Sequence, residues 1–380
     1  MLGLLLVLAG CTVMPPSTPA AGTAKEPEYG IYWYGKEDAS QKALPGQPNP
    51  YYDPTKPTML FIHGWQPDQA YSHRTLMWKY EDATTGVTTA FDLAAPWVEG
   101  GWNIGVFDWG PFADESNVLE AEAKVWTATG PRGMRWRDRD GNYQTAGVPQ
   151  LSASELLYRN YLDVLADYRG PEIRIAGHSM GNQMATALVL RLLETLGRDE
   201  ISPHLLPTRL TLLDPYWSPP TRDFLNQAST GDVVRRGIEE TILTEGILVE
   251  WYRSSSLTDG TIISDGNEAL QPSVVFSEMQ PYFCPVTKQV CKHEASWQQY
   301  LLSFGAAPPP ECERASEDAP CVATGRVAAL ASTPNERLAE MWADDATWMQ
   351  AIGPDGVDGR QTPVTSDDWY ERVPAATMRP

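Results

Sequence analysis

The stretch from residue 173 to residue 196 constrains the fold of this 380-residue chain more than any other. An apolar run at 173–176 leads into 177–181 (GHSMG), and apolar residues then recur at three- and four-residue steps, as on the buried face of a helix. In a strand, turn and helix of this kind, the central serine sits on a sharp turn and the flanking glycines let neighbouring backbone pass close. The segment therefore predicts that Ser179 is a nucleophile at the end of a buried strand.

Five further apolar runs accompany the one that precedes Ser179, at 58–62, 103–107, 209–213, 247–252 and 273–276. Runs without alternation are typical of strands buried on both faces, as in a parallel sheet. Helical patterns lie between them, and strands that alternate with helices favour right-handed crossovers over a parallel sheet. We therefore predict an α/β protein with a mostly parallel central sheet flanked by helices. Together with the turn at Ser179, this is the α/β-hydrolase fold.

The organisation along the chain follows from composition. Residues 29–305 contain all the predicted strands and form the predicted hydrolase domain. Within it, 131–149 is an insert that we interpret as an exposed hairpin, because its Asp-Gly pair favours a tight turn, and 215–245 is a candidate cap over the site. Residues 306–380 form a C-terminal extension in which we find no motif.

The amino terminus is typical of an exported protein. Residues 4–11 (LLLVLAGC) resemble the lipobox of bacterial lipoprotein signal peptides, and the apolar run is too short to span a bilayer as a helix. We expect lipidation at Cys11, a flexible tether over 12–28, and a periplasmic or cell-surface lipoprotein anchored to a bacterial membrane, the outer membrane. The alternative is an ordinary cleaved signal peptide in which Cys11 is incidental.

The other four cysteines form two close pairs, Cys284 with Cys291 and Cys312 with Cys321. Disulfides persist in oxidising compartments, so both pairs are expected to be bridged in an exported protein. The chain holds 29 Lys and Arg against 49 Asp and Glu, a net charge of −20. Such an acidic chain repels nucleic acid and anionic headgroups, so we expect no nucleic-acid partner.

A serine hydroxyl needs a base to become nucleophilic, and the base needs an orienting carboxylate. In this fold the order along the chain is serine, acid, histidine, which leaves His204 and His293 as bases. His293 follows the last predicted strand, where the fold places its base, whereas His204 lies in a Pro-rich loop. We therefore predict His293.

The acid has three candidates. Asp214 directly follows the apolar run at 209–213 and precedes a proline, which fixes the turn. Asp259 lies a few residues beyond the next strand, and Asp265 is a weaker candidate. Because the acid must be held rigidly, Asp214 is favoured and Asp259 stays as the alternative.

Five segments in this order resemble the pancreatic-type lipase and phospholipase A1 family of α/β hydrolases, which has bacterial members: 61–65 (FIHGW), 103–109 (NIGVFDW), 176–181 (AGHSMG), 212–215 (LLDP) and 291–300 (CKHEASWQQY). The resemblance implies Asp214 as acid and His293 as base. It also assigns the backbone N–H of Trp65 to the oxyanion hole, beside the N–H of Met180, which follows the nucleophile. The sequence departs from the family at Asn182 and Gln183, where Ala-His is usual, and after residue 300, where no β-sandwich domain is recognisable.

Large aromatic residues follow several strand ends at the predicted catalytic edge. Trp65, Trp109, Tyr216 and Trp217 are candidates for the wall of an apolar substrate pocket, with ordinary core packing as the alternative. His63 is expected to be structural, because the fold needs one base.

The predicted function is hydrolysis of carboxylic esters, with an ester or lipid-like substrate, through an acyl-enzyme. This chemistry requires neither a metal nor a cofactor. An acyltransferase or amidase would use the same residues, and a surface lipoprotein that binds a partner without catalysis is the alternative of another class.

Overall fold

A computed structural model of the chain describes residues 26–68, 74–81, 86, 88–259, 264–316, 318–352 and 368–374. The predicted signal peptide with Cys11, and the predicted tether up to residue 25, lie outside the described residues. No helix in the described ranges is long and apolar enough to cross a membrane.

The first half of the chain contains β1 (Gly30–Tyr34), β2 (Ser40–Lys42), β3 (Thr58–Ile62), β4 (Met77–Glu81), β5 (Thr88–Asp92), α1 (Ala95–Glu99), β6 (Asn103–Asp108), α2 (Gly110–Ala113), α3 (Val118–Trp126), β7 (Trp136–Arg137), β8 (Tyr143–Gln144) and α4 (Ala153–Val164). The second half contains β9 (Ile173–His178), α5 (Gly181–Leu196), β10 (Arg209–Leu213), α6 (Thr230–Gly237), β11 (Leu248–Arg253), β12 (Val275–Glu278), α7 (Gln289–Ser303), β13 (Pro310–Glu313), β14 (Val322–Val327), α8 (Asn335–Trp342), β15 (Ala346–Ile352) and β16 (Asp368–Pro374).

Twelve strands form one sheet in the order β14-β13-β16-β15-β12-β11-β10-β9-β3-β6-β1-β2. The six strands predicted from apolar runs are the neighbours β12, β11, β10, β9, β3 and β6, and every pairing among them is parallel. Strands β3, β6, β9 and β10 are buried at every position, as the unbroken runs indicate. The predicted α/β-hydrolase fold, with its mostly parallel sheet, is confirmed.

Two hydrophobic clusters cover the two faces of the sheet. Alternate residues of β3 enter different clusters, Leu60 and Ile62 one of them and Met59 and Phe61 the other, because successive side chains of a strand point to opposite faces. The first cluster packs under α4, α5 and α6, and the second under α1, α7 and α8. The carboxyl ends of the parallel strands are left free to carry side chains between these layers.

The sheet continues through the C-terminal extension. Strand β15 pairs in parallel with β12, and β16, β13 and β14 follow outward, so the sheet runs across the boundary that the sequence places at residue 305. Side chains of central strands also reach this part of the chain. Arg174 on β9 donates to the Ala331 carbonyl at 2.8 Å, and Arg209 on β10 donates to the Thr333 carbonyl and to Asn335 Oδ1, both at 2.6 Å.

Two predicted segments differ in detail from expectation. The insert at 131–149 contains the hairpin of β7 and β8, but Met134 and Trp136 are buried in the core, so the insert is only partly exposed. In the candidate cap at 215–245, α6 packs beside α5 and buries Val234 in the first cluster, so this part of the segment belongs to the helix layer.

Candidate active site

Ser179 occupies the sharp turn between β9 and α5. Its φ of 54° lies in the left-handed region, which costs a residue other than glycine about 1–3 kcal/mol and is therefore held by the surrounding structure. The Ser179 N–H donates to the Leu213 carbonyl at 3.0 Å. Both flanking glycines are required, because a Cβ at Gly177 would lie 2.6 Å from the Asn182 backbone and one at Gly181 would lie 2.2 Å from the Ile62 carbonyl oxygen.

Asn182 ties this turn to the end of β10. Its side-chain amide donates to the Ser179 carbonyl at 2.9 Å and to the Leu213 carbonyl at 3.1 Å, and its oxygen accepts from the Leu213 N–H at 3.2 Å. The residue is completely buried. In the sequence, Asn182 stands out only as a departure from the family pattern, and that departure is the one signal of these hydrogen bonds.

His293 lies on α7 and faces Asp214. Its Nδ1 is 2.5 Å from Asp214 Oδ2, and this carboxylate is completely buried. The alternative acid Asp259 lies instead 3.6 Å from Arg253 Nη1. The structure therefore brings Asp214, and not Asp259, to His293.

The neighbouring candidates lie elsewhere. Asp265 accepts the Asn267 N–H at 2.9 Å, and its backbone N–H donates to the Trp217 carbonyl at 2.8 Å. His204 is exposed in a short turn at 203–205. Neither residue contacts His293 within the described ranges.

The loop after β11 fixes the Asp214 carboxylate. Oδ1 accepts the backbone N–H of Ser254 at 2.9 Å and of Ser255 at 3.2 Å, and Oδ2 accepts a hydrogen bond from the Ser255 hydroxyl. Burial opposes the charged form, but the bond from His293 and these serine donors outweigh burial and hold the pKa of Asp214 below its ordinary value. Ser254 and Ser255 carry no motif and were not predicted from the sequence.

The contact between Asp214 and His293 also shifts the pKa of the base, in the opposite direction to that of the acid. Burial favours neutral His293, but the hydrogen bond and the negative charge of Asp214 outweigh it and raise the pKa of His293 above its ordinary value of 6.5. Since Nδ1 is directed at a carboxylate, Nδ1 carries the proton and Nε2 is left to accept one.

His178 is a second histidine at the site, directly before Ser179. Its ring lies 4.5 Å from the His293 ring, and its Nε2 is 3.1 Å from the His293 carbonyl oxygen, so Nε2 carries the proton and donates. Burial, followed by the charge of His293, lowers the pKa of His178 to about 3. His178 is therefore neutral near pH 7 and holds the backbone of the base in place.

The loop after β3 passes directly over the nucleophile. A Cβ at Gly64 would lie 2.7 Å from Ser179 Cβ, so only glycine fits there. Among the described residues, the backbone N–H groups of Trp65 and Met180 have no acceptor. Two such donors on either side of a serine are what an oxyanion hole requires.

His63 is part of the framework of this loop. The Trp109 N–H donates to His63 Nε2 at 3.1 Å, so Nδ1 carries the proton and donates to the Gly64 carbonyl at 2.9 Å. The side chain is completely buried and has a defined tautomer. This is the structural role that the sequence indicates.

A cavity of about 680 Å³ opens on Ser179 and His293. Its apolar wall includes Trp65, Pro67, Val118, Tyr216, Leu257 and Val290, and its polar lining includes Arg74, His178 and Glu294. Of the four aromatic candidates, Trp65 and Tyr216 line the cavity. Trp109 and Trp217 are buried in the core, the first against His63 and the second edge-on to Trp251, which corrects the prediction for those two residues. Tyr216 is the residue of 215–245 that lines this cavity.

Both predicted disulfides are present, Cys284–Cys291 and Cys312–Cys321. Because disulfides are rare in the cytosol, they indicate an exported protein. The first one joins α7 to the preceding loop, two residues before His293. In the described ranges, no group of His, Cys, Asp and Glu is arranged to hold a metal ion.

No model of a known protein family matches the chain, and no curated protein matches it in sequence. Several solved structures do match the chain in structure. The chain is similar to LpqC, a poly(3-hydroxybutyrate) depolymerase from Bordetella parapertussis, at 13% identity over 76% of this chain and 86% of that one, with a TM-score of 0.33. It is similar to a lipase/esterase from Lactobacillus plantarum at 11% identity over 72% of this chain and 94% of that one, with a TM-score of 0.33. The likeness is one of fold alone.

Proposed function

We propose that this protein is a serine hydrolase that cleaves carboxylic esters through an acyl-enzyme, with Ser179 as nucleophile, His293 as base and Asp214 as the orienting acid. The observation that carries the proposal is the contact between His293 Nδ1 and Asp214 Oδ2 at the wall of the cavity that Ser179 also lines. A serine held at a left-handed φ on a strand-to-helix turn adds to it.

In the proposed reaction, Nε2 of His293 takes the proton of the Ser179 hydroxyl as its oxygen attacks the ester carbonyl. The N–H groups of Trp65 and Met180 stabilise the negative charge that develops on the carbonyl oxygen. His293 then returns the proton to the leaving alcohol, which leaves an acyl group on Ser179. Water, activated by His293, releases the acid and restores the serine.

A series of p-nitrophenyl esters with acyl chains of increasing length tests this proposal. Wild type should hydrolyse at least the short esters and react with a serine-directed phosphonate, and Ser179→Ala should do neither. Ser256→Ala is a matched control, since Ser256 is an exposed serine of the loop that holds Asp214. Wild type that fails to react with the phosphonate would favour a surface protein that binds without catalysis.

The reaction products distinguish the proposed ester hydrolase from an acyltransferase or an amidase, which would use the same residues. Adding an alcohol or an amine to the assay gives a transferred acyl product if the enzyme is an acyltransferase, and free acid remains the main product if it is a hydrolase. Cleavage of matched amides at a rate comparable to that of the esters would instead favour an amidase.

We also propose that the exported protein is anchored to a bacterial membrane by lipid on Cys11, and that its substrate is an ester or lipid-like small molecule. The mostly apolar lining of the cavity supports a substrate of this kind. Cys11→Ser should release the protein from membranes into the soluble periplasmic fraction. An unchanged membrane fraction would contradict the lipid anchor and would leave the proposed chemistry intact.

A further inference from the structure

Among the described residues that line the catalytic cavity, Arg74 is the one permanent cation. Its side chain is only 12% exposed, and its guanidinium lies over the Trp297 ring, 4.4 Å from the ring centre. Since most of the wall is apolar or neutral, a charge there is costly unless something pairs with it.

Among the described residues, the ionic partner of this guanidinium is Glu294. Nε is buried and donates to no acceptor. The side-chain hydrogen bond that Arg74 makes within the described residues runs from Nη2 to Glu294 Oε2, at a long 3.4 Å. The same Glu294 oxygen accepts the Trp297 indole N–H at 2.8 Å. A buried donor without an acceptor is destabilising, and more so when it is charged.

The guanidinium is nonetheless held in place. The Tyr34 hydroxyl donates to the Arg74 carbonyl, and the Leu76 N–H donates to Asp38 Oδ1 at 2.8 Å, so the backbone that follows Arg74 is fixed. Trp297, under the guanidinium, stacks on Phe61 with ring centres 5.3 Å apart. A guanidinium that is held in place and whose donors the protein does not all satisfy is suited to bind a ligand without further ordering.

Arginine presents a planar set of donors that matches the two oxygens of a carboxylate or of a phosphate. We propose that Arg74 binds a negatively charged group of this kind on the part of the substrate that fills the cavity. The inference rests on the proposed function and narrows its substrate class to esters that carry an anion near the bond to be cleaved.

Competition among ligands of equal chain length tests the inference. Hexanoate, hexyl phosphate and hexanol would each be used to inhibit hydrolysis of the neutral ester p-nitrophenyl acetate. In wild type, at least one of the two anions should bind about tenfold to a hundredfold more tightly than the alcohol, the range expected for a hydrogen-bonded charge pair. The better of the two anions identifies the group as a carboxylate or a phosphate.

Variants separate recognition by Arg74 from a general effect of charge. Arg74→Met should bring the three inhibition constants to within about twofold, and Arg74→Lys should keep part of the preference, because it keeps the charge but loses the planar donors. Lys288→Met is the matched control, since it removes an exposed cation beside α7 and outside the cavity, and it should retain the full preference. Circular dichroism checks that each variant is folded.

Equal inhibition by all three ligands in wild type would overturn the inference, and so would an equal loss of preference in Arg74→Met and Lys288→Met. In both cases hydrolysis of p-nitrophenyl acetate would still support the proposed function. If wild type does not cleave that ester, the proposed function fails, and calorimetric binding of the same three ligands then decides whether Arg74 recognises an anion.

Discussion

The two ends of β10 carry opposite buried charges with different kinds of partner. At the amino end, Arg209 is completely buried and its donors meet the Thr333 carbonyl and Asn335 Oδ1 in the C-terminal part of the chain. At the carboxyl end, Asp214 is equally buried, but one of its partners is His293, which lines the cavity. The first charge joins parts of the fold, and the second orients a group that we propose changes its protonation in each reaction cycle.

We expect that removing the charge of Asp214 mainly reduces activity, whereas removing the charge of Arg209 mainly reduces stability. Asp214→Asn should have the largest effect. An amide can present its N–H to His293 and stabilise the wrong tautomer, so kcat should fall by about 10⁴-fold. Asp259→Asn is the matched control and should retain activity within about twofold, because Asp259 contacts Arg253 rather than the base. Steady-state kinetics measures both. Equal loss in the two variants would contradict the assignment of Asp214.

Arg209→Met at the other end should mainly reduce stability. The substitution leaves Glu250, 3.6 Å from the guanidinium, without its buried cation, so the free energy of unfolding should fall by about 3–5 kcal/mol. Folded protein should keep its kcat/KM. Arg198→Met, on an exposed arginine of the turn after α5, should change stability by less than about 0.5 kcal/mol. Urea denaturation measures the difference, and a large loss of kcat/KM in folded Arg209→Met would contradict the division of roles.

The two disulfides also allow effects on activity to be separated from effects on stability, because each disulfide constrains a different part of the backbone. Cys284–Cys291 precedes His293, so replacing both of its cysteines by serine should reduce kcat about tenfold to a hundredfold by loosening the base. The near-UV circular dichroism spectrum should remain. The corresponding variant of Cys312–Cys321, which joins β13 to the residue before β14 at the edge of the sheet, should lose stability with little change in kcat. If activity and the near-UV signal of the first variant disappear together, its disulfide is structural alone.

The smallest effect concerns the pH at which the base titrates. Neutral His293 is the active form, so activity should be lost as pH falls through its pKa, which Asp214 raises above the ordinary 6.5. The midpoint of the acidic limb of kcat/KM should therefore lie above 6.5, and in Asp214→Asn it should move to lower pH. Rates measured from about pH 5 to about pH 9 decide this. A midpoint that Asp214→Asn leaves unchanged would assign the limb to another group.

Sequence reasoning reached the central part of this molecule because each step there is local. The apolar run before Ser179 and the helix after it fix a strand and a turn, and the order of Asp214 and His293 follows from the fold. The pairing of β13, β14, β15 and β16 with the sheet was not predictable in the same way. Those strands depend on contacts distant in sequence, and 322–327 is largely exposed and lacks an apolar run.

The direction in which side chains point could not be predicted from the sequence either. Trp65 and Trp109 both follow strand ends at the catalytic edge, yet one lines the cavity and the other is buried against His63. Position on a strand places a residue at an edge, whereas the neighbouring loops decide where its ring goes. Arg74 was not predicted for a related reason. It carries no motif, and the lack of an acceptor for its Nε depends on where the side chains around it lie.

The attachment of Arg174 and Arg209 to residues 331–335 also affects the order of events during synthesis. Both cations lie on strands at the centre of the sheet, but their partners emerge from the ribosome more than 120 residues after Arg209. Until then Arg174 and Arg209 can pair with Glu172 and Glu250 but lack the acceptors of residues 331–335, so closing the sheet early would leave buried donors unpaired and is unfavourable. For a chain that crosses a membrane before folding, such a delay would be useful, because the segment that completes the core is made after the strands that need it.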